Sequence, residues 1–203
     1  MTSPGTPSWL AEVERYREDL EFRATLRGRE LTFRTTWGLF SPREVDLGTV
    51  ELLEEMRLEP DDDCLDLGCG YGPIALTMAH LAPQGETWAV DKDFVAVEYT
   101  RRNAEANGLP NVHATLSNGL DGLPAERRFD VVATNLPAKV GNELTTLLFA
   151  DAYLHLNPGG RLYVVTLSGM RKFIQRTLEE LFGNYDKLHQ GRQHTVHLAV
   201  REG

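Results

Sequence analysis

A glycine-rich segment at residues 66–72 holds the first side chains whose types and spacing suggest chemistry. It follows a short apolar run and precedes a run with helical spacing, which places Gly68, Gly70 and Gly72 in a strand-to-helix turn. Glycines at such a turn let the backbone bend sharply and let a ligand touch the main chain. Asp91 ends the next apolar run, 23 residues after Gly68, and a carboxylate there can accept hydrogen bonds from both hydroxyls of a ribose. Loop and acid together favour a nucleoside-containing cofactor over a structural turn.

The spacing of these glycines separates two classes of cofactor. Dinucleotide-binding loops have the pattern G-x-G-x-x-G, whose amides bind a pyrophosphate, whereas this chain has G-x-G-x-G directly after Asp66. We expect an anion at the mouth of the loop to repel a pyrophosphate and to suit a ligand that bears an ammonium and a sulfonium. A nicotinamide-dependent oxidoreductase is therefore the less favoured alternative.

A second candidate segment is Asn135-Leu136-Pro137, which follows another apolar run. In an open α/β sheet, the carboxyl ends of the strands form the edge where ligands bind. The segment therefore lies where an acceptor substrate would bind, with a turn residue at a strand end as the alternative for Asn135.

Strands and helices alternate regularly from residue 63 onward. Strands are predicted at 64–67, 87–90, 112–116, 129–133 and 161–166, and helices at 74–81, 95–107, 142–155 and 170–182. Such alternation implies an α/β domain whose parallel sheet is covered by helices on both faces. Residues 185–189 and 194–200 flank Gly191 with no room for a helix, so we expect them to pair as an antiparallel hairpin.

The first 45 residues form an extension before this domain, which we place at residues 46–203. Apolar residues recur at helical spacing over 9–16, and residues 22–26 and 31–33 alternate around Arg27-Gly28 as in a β-hairpin. A further helix is expected over 46–56, with Asp46 or Thr49 as its cap.

Charge is distributed unevenly along the chain. The formal net charge of −9 argues against a general nucleic-acid binder. Residues 50–63 nevertheless carry seven acids and one arginine, whereas residues 23–43 carry one glutamate and five arginines: Arg23, Arg27, Arg29, Arg34 and Arg43. Either run can be a solvated face, and the arginine-rich hairpin alternatively predicts a phosphate contact.

The cysteine content and the hydropathy of the sequence indicate the cellular compartment in which the protein works. Cys64 and Cys69 are too close in sequence for a framework disulfide and have no clustered companions for a metal site. No apolar stretch approaches the ~18 residues of a membrane span, and the first eight residues lack the features of a signal peptide. We therefore expect a cytoplasmic protein with no metal and no membrane partner.

The motifs resemble those of class I S-adenosylmethionine-dependent methyltransferases over about residues 20–200. Residues 66–72 are similar to the first motif of that family, Asp91 falls where it keeps a ribose acid, and Ser117-Asn118 resembles its adenine contact. The resemblance implies a Rossmann-like, seven-stranded, mostly parallel sheet with an antiparallel last strand. It also implies S-adenosylmethionine as cofactor, with these binding residues: Asp66, Gly68, Gly70, Gly72, Asp91, Asn118 and Asn135.

A narrower resemblance concerns the segment before the sheet. Residues 37–41 (Trp-Gly-Leu-Phe-Ser) and 46–49 (Asp-Leu-Gly-Thr) are similar to the opening segment of the "small domain" methyltransferases, where it lies close to the cofactor. That subgroup includes bacterial ribosomal RNA guanine-N2 methyltransferases, whose catalytic domains begin with a similar hairpin.

The acceptor segment resembles the Asn-Pro-Pro-aromatic motif of methyltransferases that act on exocyclic amines. In that motif the Asn amide oxygen and the next carbonyl accept the two amine hydrogens, which makes Asn135, Leu136 and Pro137 the expected catalytic residues. Leu136 replaces the first proline, and Ala138 replaces the aromatic residue that stacks on a base. A stacking face would then come from elsewhere in the chain, with three candidates: Trp37, Phe40 and Tyr71.

The resemblance implies methyl transfer to an exocyclic amine, with guanine N2 of ribosomal RNA as the expected acceptor. The ribosomal RNA or subunit would contact the arginine-rich hairpin. Two alternatives stay open: a cofactor-binding module that no longer catalyses, motivated by the altered acceptor segment, and a methyltransferase that acts on a protein or a small molecule.

Overall fold

The alternation of strands and helices is present in the folded chain. The computed structural model describes residues 7, 9–137 and 139–203. In this part of the chain the elements are, in order, α1 (Leu10–Arg15), β1 (Leu20–Leu26), β2 (Arg29–Thr35), α2 (Leu47–Glu55), β3 (Cys64–Leu67), α3 (Pro73–Leu81), β4 (Thr87–Asp91), α4 (Phe94–Ala106), β5 (Val112–Leu116), β6 (Phe129–Asn135), α5 (Asn142–His155), β7 (Leu156–Leu167), α6 (Arg171–Phe182), β8 (Asp186–Gln190) and β9 (His194–Val200). None of the described helices is both long enough and apolar enough to cross a membrane.

Seven strands form one sheet in the order β5-β4-β3-β6-β7-β9-β8. Five of them are parallel to their neighbours, and β9 runs antiparallel to both β7 and β8. The expected seven-stranded sheet with an antiparallel last strand is therefore confirmed. The chain winds outward in one direction from β3 to β5 and in the other from β6 onward. This reversal between β3 and β6 opens a crevice at the carboxyl ends of the strands, where ligands bind in such sheets.

Apolar side chains cover both faces of the sheet. One core joins the sheet to the β1–β2 hairpin, α2, α3 and α4, and the other joins it to α5 and α6. Successive side chains of β6 point to opposite faces of the sheet, so Val131 and Ala133 belong to the first core and Val132 belongs to the second. Asn135 continues the series of Val131 and Ala133, so it faces α2.

The β1–β2 hairpin has the turn that its sequence predicts. Arg27 and Gly28 have φ angles of 48° and 83°, which suits the two-residue turn of a twisted hairpin. The free edge of β2 is closed by two side-chain amides, Asn103 of α4 and Asn107 directly after it. The Asn103 amide donates to and accepts from the main chain of Arg34, and the Asn107 amide does the same with Thr32, at 2.7–2.9 Å. These bonds satisfy main-chain groups that an unpaired edge would expose.

The start of β7 differs from the sequence prediction. The sequence predicts a strand at 161–166, whereas the observed strand begins at Leu156, directly after α5. Pairing with β6 skips from Phe129–Leu156 to Val131–Arg161, so residues 157–160 bulge out of the ladder. Gly159, with a φ of 81°, donates to the carbonyl of Arg201 at 2.7 Å, which ties the bulge to the chain after β9.

Candidate functional site

A cavity of about 680 Å³ lies at the carboxyl ends of β3, β4, β5 and β6. Its wall also includes residues of the loop between β2 and α2 and of the first turns of α2 and α3. Most of the sequence-predicted site residues line it: Gly68, Gly70, Asp91, Asn118, Asn135, Leu136 and Pro137. The structure therefore brings the predicted cofactor and acceptor residues into one space.

The glycine loop presents open main chain to this cavity. Gly68 and Gly70 have φ angles of 83° and 56°, a region that favours glycine, and nothing lies within 4 Å of the point where a Cβ would sit. The amides of Gly68 and Cys69 donate to the carbonyl of Val90 at 2.8 and 3.0 Å, which fixes the loop against β4. A flat ligand can therefore lie against the loop without meeting a side chain.

Gly72 has a packing role at the end of the same loop. Its φ is 97°, and a Cβ there would lie 2.8 Å from Leu76 and 3.1 Å from Thr100. The residue caps α3 and lets it approach α4, and it does not line the cavity. The observed role of Gly72 is therefore helix packing, and its contact with the cofactor stays a prediction.

The sequence suggests that Asp66 lies at the mouth of the glycine loop, but in the structure it lies beneath the loop. It is fully buried, and its Oδ2 accepts a hydrogen bond from the Ala75 amide, 2.9 Å away in the first turn of α3. No described residue donates to its Oδ1. Burial raises the pKa of Asp66 to about 8, so the carboxyl is largely protonated at neutral pH. The expected position of Asp66 at the mouth of the loop is therefore wrong, whereas its contribution to cofactor binding stays a prediction.

Asp91 occupies the position expected for a ribose acid. It ends β4, is partly exposed, and lines the cavity. Its Oδ2 accepts from the amide of Gly70 at 3.0 Å and its Oδ1 from the amide of Asp93 at 2.9 Å. Each carboxylate oxygen has further acceptor capacity, so two hydroxyl groups can bind without displacing either bond.

The loop after β5 supplies the next wall of the cavity. Ser117 is buried, its hydroxyl donates to the Gly119 carbonyl at 2.7 Å, and it accepts from the amide of Gly122 at 2.8 Å. These bonds shape the loop around Asn118, an exposed residue whose amide lies 3.4 Å from Asp121. Asn118 thus faces the cavity from the same edge as Asp91, one strand further out.

Asn135 is held by two partners that the sequence did not reveal. Its Nδ2 donates to Asp46 Oδ2 and to Thr49 Oγ1, both at 2.9 Å. The opposite orientation of the amide would place Oδ1 against the Asp46 carboxylate, which is repulsive. The amide is thereby fixed with Oδ1 away from α2, and no described residue donates to that oxygen. Asp46 also caps α2 by accepting from the amide of Thr49, so it is Asp46 and not Thr49, of the two candidates from the sequence, that caps this helix.

The two residues after Asn135 complete the acceptor segment. The side chain of Leu136 is buried in the core next to α5, and its amide donates to the Val165 carbonyl at 3.0 Å. Within the described ranges, nothing donates to the Leu136 carbonyl. Pro137 is exposed at the cavity wall, and Ala138 lies outside the described residues. The segment therefore offers two acceptors, the Asn135 amide oxygen and the Leu136 carbonyl.

His194 is a cavity residue that sequence reasoning missed. It begins β9, is 8% exposed, and its Nδ1 lies 3.4 Å from Glu51 Oε2 of α2. A Cβ on Gly48 would lie 3.0 Å from both Asp46 Oδ2 and His194 Cδ2, so this glycine lets the ring approach the start of α2. No local pattern could have found this contact, because it depends on β9 returning to pair with β7.

The three candidate stacking residues have different environments. Tyr71 is 3% exposed, and its ring packs edge-on against Phe22 and Phe33 in the core under the hairpin. Trp37 packs against Tyr16 and does not line the cavity. Phe40 lines the cavity and is 67% exposed. Among these candidates, Phe40 alone offers an accessible ring at the site.

The arginines of the hairpin have protein partners. Arg27 Nη1 donates to the carbonyls of Leu53 and Met56 at 2.5 and 2.7 Å, closing the end of α2. Arg29 contacts His80 Nδ1 at 2.7 Å and the Asn107 carbonyl at 2.9 Å. The expectation that these two arginines face phosphate is therefore corrected. The remaining two hairpin arginines are exposed and pair across the strands as Arg23–Glu30 and Arg34–Glu21.

The part of the chain that the structure describes contains no group of three or more His, Cys, Asp or Glu side chains arranged to hold a metal ion. Cys64 and Cys69 are both buried free thiols. Besides the residues described above, Lys92 and Asp93, which follow β4, also line the cavity.

Known proteins are similar in sequence to most of this chain. The uncharacterized protein YbxB of Bacillus subtilis is 33% identical over 84% of this chain and 85% of its own length. The ribosomal RNA small subunit methyltransferase C of Cronobacter sakazakii is 31% identical over 84% of this chain and 50% of its own length. The chain thus spans about half the length of that ribosomal RNA methyltransferase.

A solved structure is similar to this chain in both sequence and fold. The 16S rRNA N2 methyltransferase of T. thermophilus, in complex with AdoMet and guanosine, is 31% identical, with a TM-score of 0.83 over 91% of this chain and 51% of that chain. Residues 30–197 match the family described as methyltransferase small domain. This chain is therefore a member of the methyltransferase small domain family, with a Rossmann-like fold and S-adenosylmethionine as its methyl donor.

Proposed function

We propose that this enzyme transfers the methyl group to an exocyclic amine, and that the amine is guanine N2 of ribosomal RNA. The observation that carries the proposal is the fixed orientation of Asn135. Its Nδ2 donates to Asp46 and Thr49, so its Oδ1 remains as an acceptor, and the carbonyl of the next residue, Leu136, is a second one. An amine with two hydrogens is the group that matches a pair of acceptors.

The cofactor wall fits S-adenosylmethionine. We assign Asp91 to the two ribose hydroxyls, the open main chain at Gly68 and Gly70 to the amino acid part, and Asn118 to the adenine. Asp66 supports the loop from below through Ala75. When bound, the cofactor supplies a methyl group made electrophilic by a sulfonium.

The acceptor wall orients the nucleophile. If Asn135 Oδ1 and the Leu136 carbonyl accept the two amine hydrogens, the nitrogen lone pair is directed perpendicular to them, toward the cofactor wall. This arrangement acts by positioning and by stabilising the positive charge that develops on nitrogen, so no strong base is required at the moment of attack. The fixed amide makes both effects available before the substrate binds.

The choice of guanine N2 is supported by the relatives. The solved T. thermophilus relative is an rRNA N2 methyltransferase in complex with guanosine, and other relatives are ribosomal RNA methyltransferases of both subunits. Because this chain spans about half or less of the length of these proteins, the acceptor is a proposal for this chain and needs its own test.

The test is transfer of a labelled methyl group onto ribosomal subunits, free ribosomal RNA and total protein from the source cell. We expect label in RNA, recovered as N2-methylguanosine after digestion, and about a 10²-fold lower rate for Asn135→Ala at unchanged S-adenosylmethionine affinity. Label in protein alone would reject the RNA acceptor. Cofactor binding without transfer to any pool would favour the non-catalytic module.

A further inference from the structure

The loop between β2 and α2, residues 36–46, is fixed although it lies at the surface beside the cavity. We call it the rim loop. The Tyr71 hydroxyl donates to the carbonyls of Ser41 and Glu44 at 3.3 and 3.0 Å, and Thr35 Oγ1 donates to the Pro42 carbonyl at 2.5 Å. Ser41 has a φ of 47°, which is uncommon for a residue other than glycine and is maintained by these bonds.

Phe40 is the side chain that this loop exposes. It is 67% exposed and lines the cavity together with Asn135 and Pro137. A large aromatic ring that is exposed on a fixed loop at a cavity mouth is suited to stack on a flat ligand. The acceptor segment carries Ala138 where related motifs have an aromatic residue, so the ring of Phe40 can replace the missing stacking face.

Arg43, on the same loop, is held in place without using its hydrogen-bond donors. Its guanidinium lies 4.7 Å from the ring centroid of Trp37, which in turn packs edge-on against Tyr16 at 6.0 Å. No acid among the described residues forms an ion pair with Arg43, in contrast to Arg23 and its partner Glu30. A guanidinium that is positioned by a ring keeps its planar fork of N–H donors for a phosphate.

We propose that Phe40 and Arg43 make the rim loop an RNA-binding segment. Phe40, which lines the cavity, stacks on the base of the target nucleotide, and Arg43, which lies outside the cavity lining, binds a phosphate of a neighbouring nucleotide. The partner is single-stranded RNA, because a base must be unstacked before its amine can reach the bottom of a cavity. This inference rests on the proposed function. It moves the phosphate contact from the hairpin to the rim loop.

The experiment compares Phe40→Ala, Phe40→Leu and Arg43→Gln with the wild-type enzyme. The probe is a labelled single-stranded ribosomal RNA fragment that the wild-type enzyme methylates, and binding is measured over a range of salt concentrations. Phe40→Ala should weaken RNA binding about 5- to 100-fold with an unchanged salt slope, and Phe40→Leu should be similarly impaired because it keeps apolar area without a flat ring. Arg43→Gln should reduce the salt slope by about 0.7, the value for one phosphate of a single strand.

Matched controls come from the same chain. Phe94 is 66% exposed but does not line the cavity, so Phe94→Ala should leave RNA binding unchanged. Arg23→Gln removes an exposed arginine of the hairpin and should leave the salt slope unchanged. Calorimetry with S-adenosylmethionine and thermal unfolding should show wild-type cofactor affinity and stability for the three rim variants.

The outcomes separate this inference from the proposed function. If the wild-type enzyme methylates RNA and the rim variants bind it as well as the wild type does, the inference is overturned and the proposed function stands. If Phe40→Ala weakens cofactor binding to the same extent as RNA binding, the ring belongs to the cofactor wall, and the inference is again overturned. If no RNA is methylated, the proposed function and the inference are overturned together.

Discussion

Asp46→Asn is the substitution that best tests how the acceptor site is held. The carboxylate of Asp46 accepts from Asn135 Nδ2 at 2.9 Å and from the amide of Thr49 at 3.2 Å. Asparagine keeps a side-chain oxygen for the cap of α2, and Asn and Asp cap helices about equally well. Both bonds end on the same oxygen, Oδ2, so an asparagine oxygen in that place preserves the cap and the orientation of Asn135, but the bond from Asn135 Nδ2 is then neutral and no longer charge-assisted.

The expected loss follows from the change in hydrogen-bond type. A bond to a charged group contributes about 1.5–3 kcal/mol and a neutral bond about 0.5–1.5 kcal/mol, so the preference for the productive orientation falls by about 1–1.5 kcal/mol. Expressed wholly in the transition state, this difference corresponds to about a five- to thirteen-fold lower kcat. Thr49 Oγ1 still accepts from Asn135 Nδ2, which limits the loss to less than that of Asn135→Ala. The free energy of unfolding should change by less than about 1 kcal/mol.

The assay is steady-state methyl transfer to the identified acceptor, with denaturant unfolding as the stability control. Because Asp46 lines the cavity, its charge can also act on the cofactor directly, and a double-mutant cycle with Asn135→Ala separates the two routes. If Asp46 acts through Asn135, adding Asp46→Asn to Asn135→Ala should change kcat by less than about two-fold. Two results would show that Asp46 does not act through Asn135. One is a wild-type kcat for Asp46→Asn, and the other is an equal loss of kcat when Asp46→Asn is added to the wild type and to Asn135→Ala.

Three further predictions concern other parts of the molecule. Asp91→Ala should weaken S-adenosylmethionine binding more than about ten-fold, because charge-assisted bonds to the ribose are lost, and calorimetry showing unchanged affinity would remove Asp91 from the site. Burial raises the pKa of Asp66 from 3.8 to about 8, so the folded state holds a proton that the unfolded state releases. Asp66 should therefore make stability fall as the pH rises from 4 through 8. Burial lowers the pKa of His197 to about 4 and opposes this trend below pH 6.5, so the quantity to measure is the difference in unfolding free energy between wild type and Asp66→Asn in urea; a difference independent of pH would contradict the prediction. Asn103→Ala leaves the main-chain groups of Arg34 unpaired and should destabilise the enzyme by about 2–4 kcal/mol in denaturant unfolding, with an unchanged midpoint as the contrary result.

Much of the fold follows from local patterns in the sequence. The two-residue turn at Arg27-Gly28, the strand-to-helix turn at Gly68 and Gly70, and the terminal hairpin around Gly191 all depend on backbone preferences of a few adjacent residues. The start of β7 was missed because residues 157–160 carry strong turn signals, and the ladder accommodates them as a bulge.

The partners within the site could not be predicted in the same way. Asn135 bonds Asp46 and Thr49, which lie 89 and 86 residues earlier, and such a contact requires the register of the whole sheet. The burial of Asp66 is also a property of the packed loop and α3, and it reverses the charge state that the bare sequence suggests. The sequence alone likewise assigns Arg27 and Arg29 to a charged surface. In the folded chain, both side chains donate to main-chain carbonyls of distant residues.

The two halves of the site come from different parts of the chain, and this division bears on how the acceptor motif can change. The cofactor wall is built by the loops after β3, β4 and β5, whereas the acceptor wall combines the end of β6 with the rim loop and the start of α2. Because Asp46 and Thr49 hold the Asn135 amide from α2, the orientation of its oxygen does not depend on the residues that follow Pro137. An alanine at position 138 is therefore compatible with a working acceptor oxygen. What the substitution removes is a stacking face, and an exposed ring on the rim loop can supply one without altering the cofactor wall.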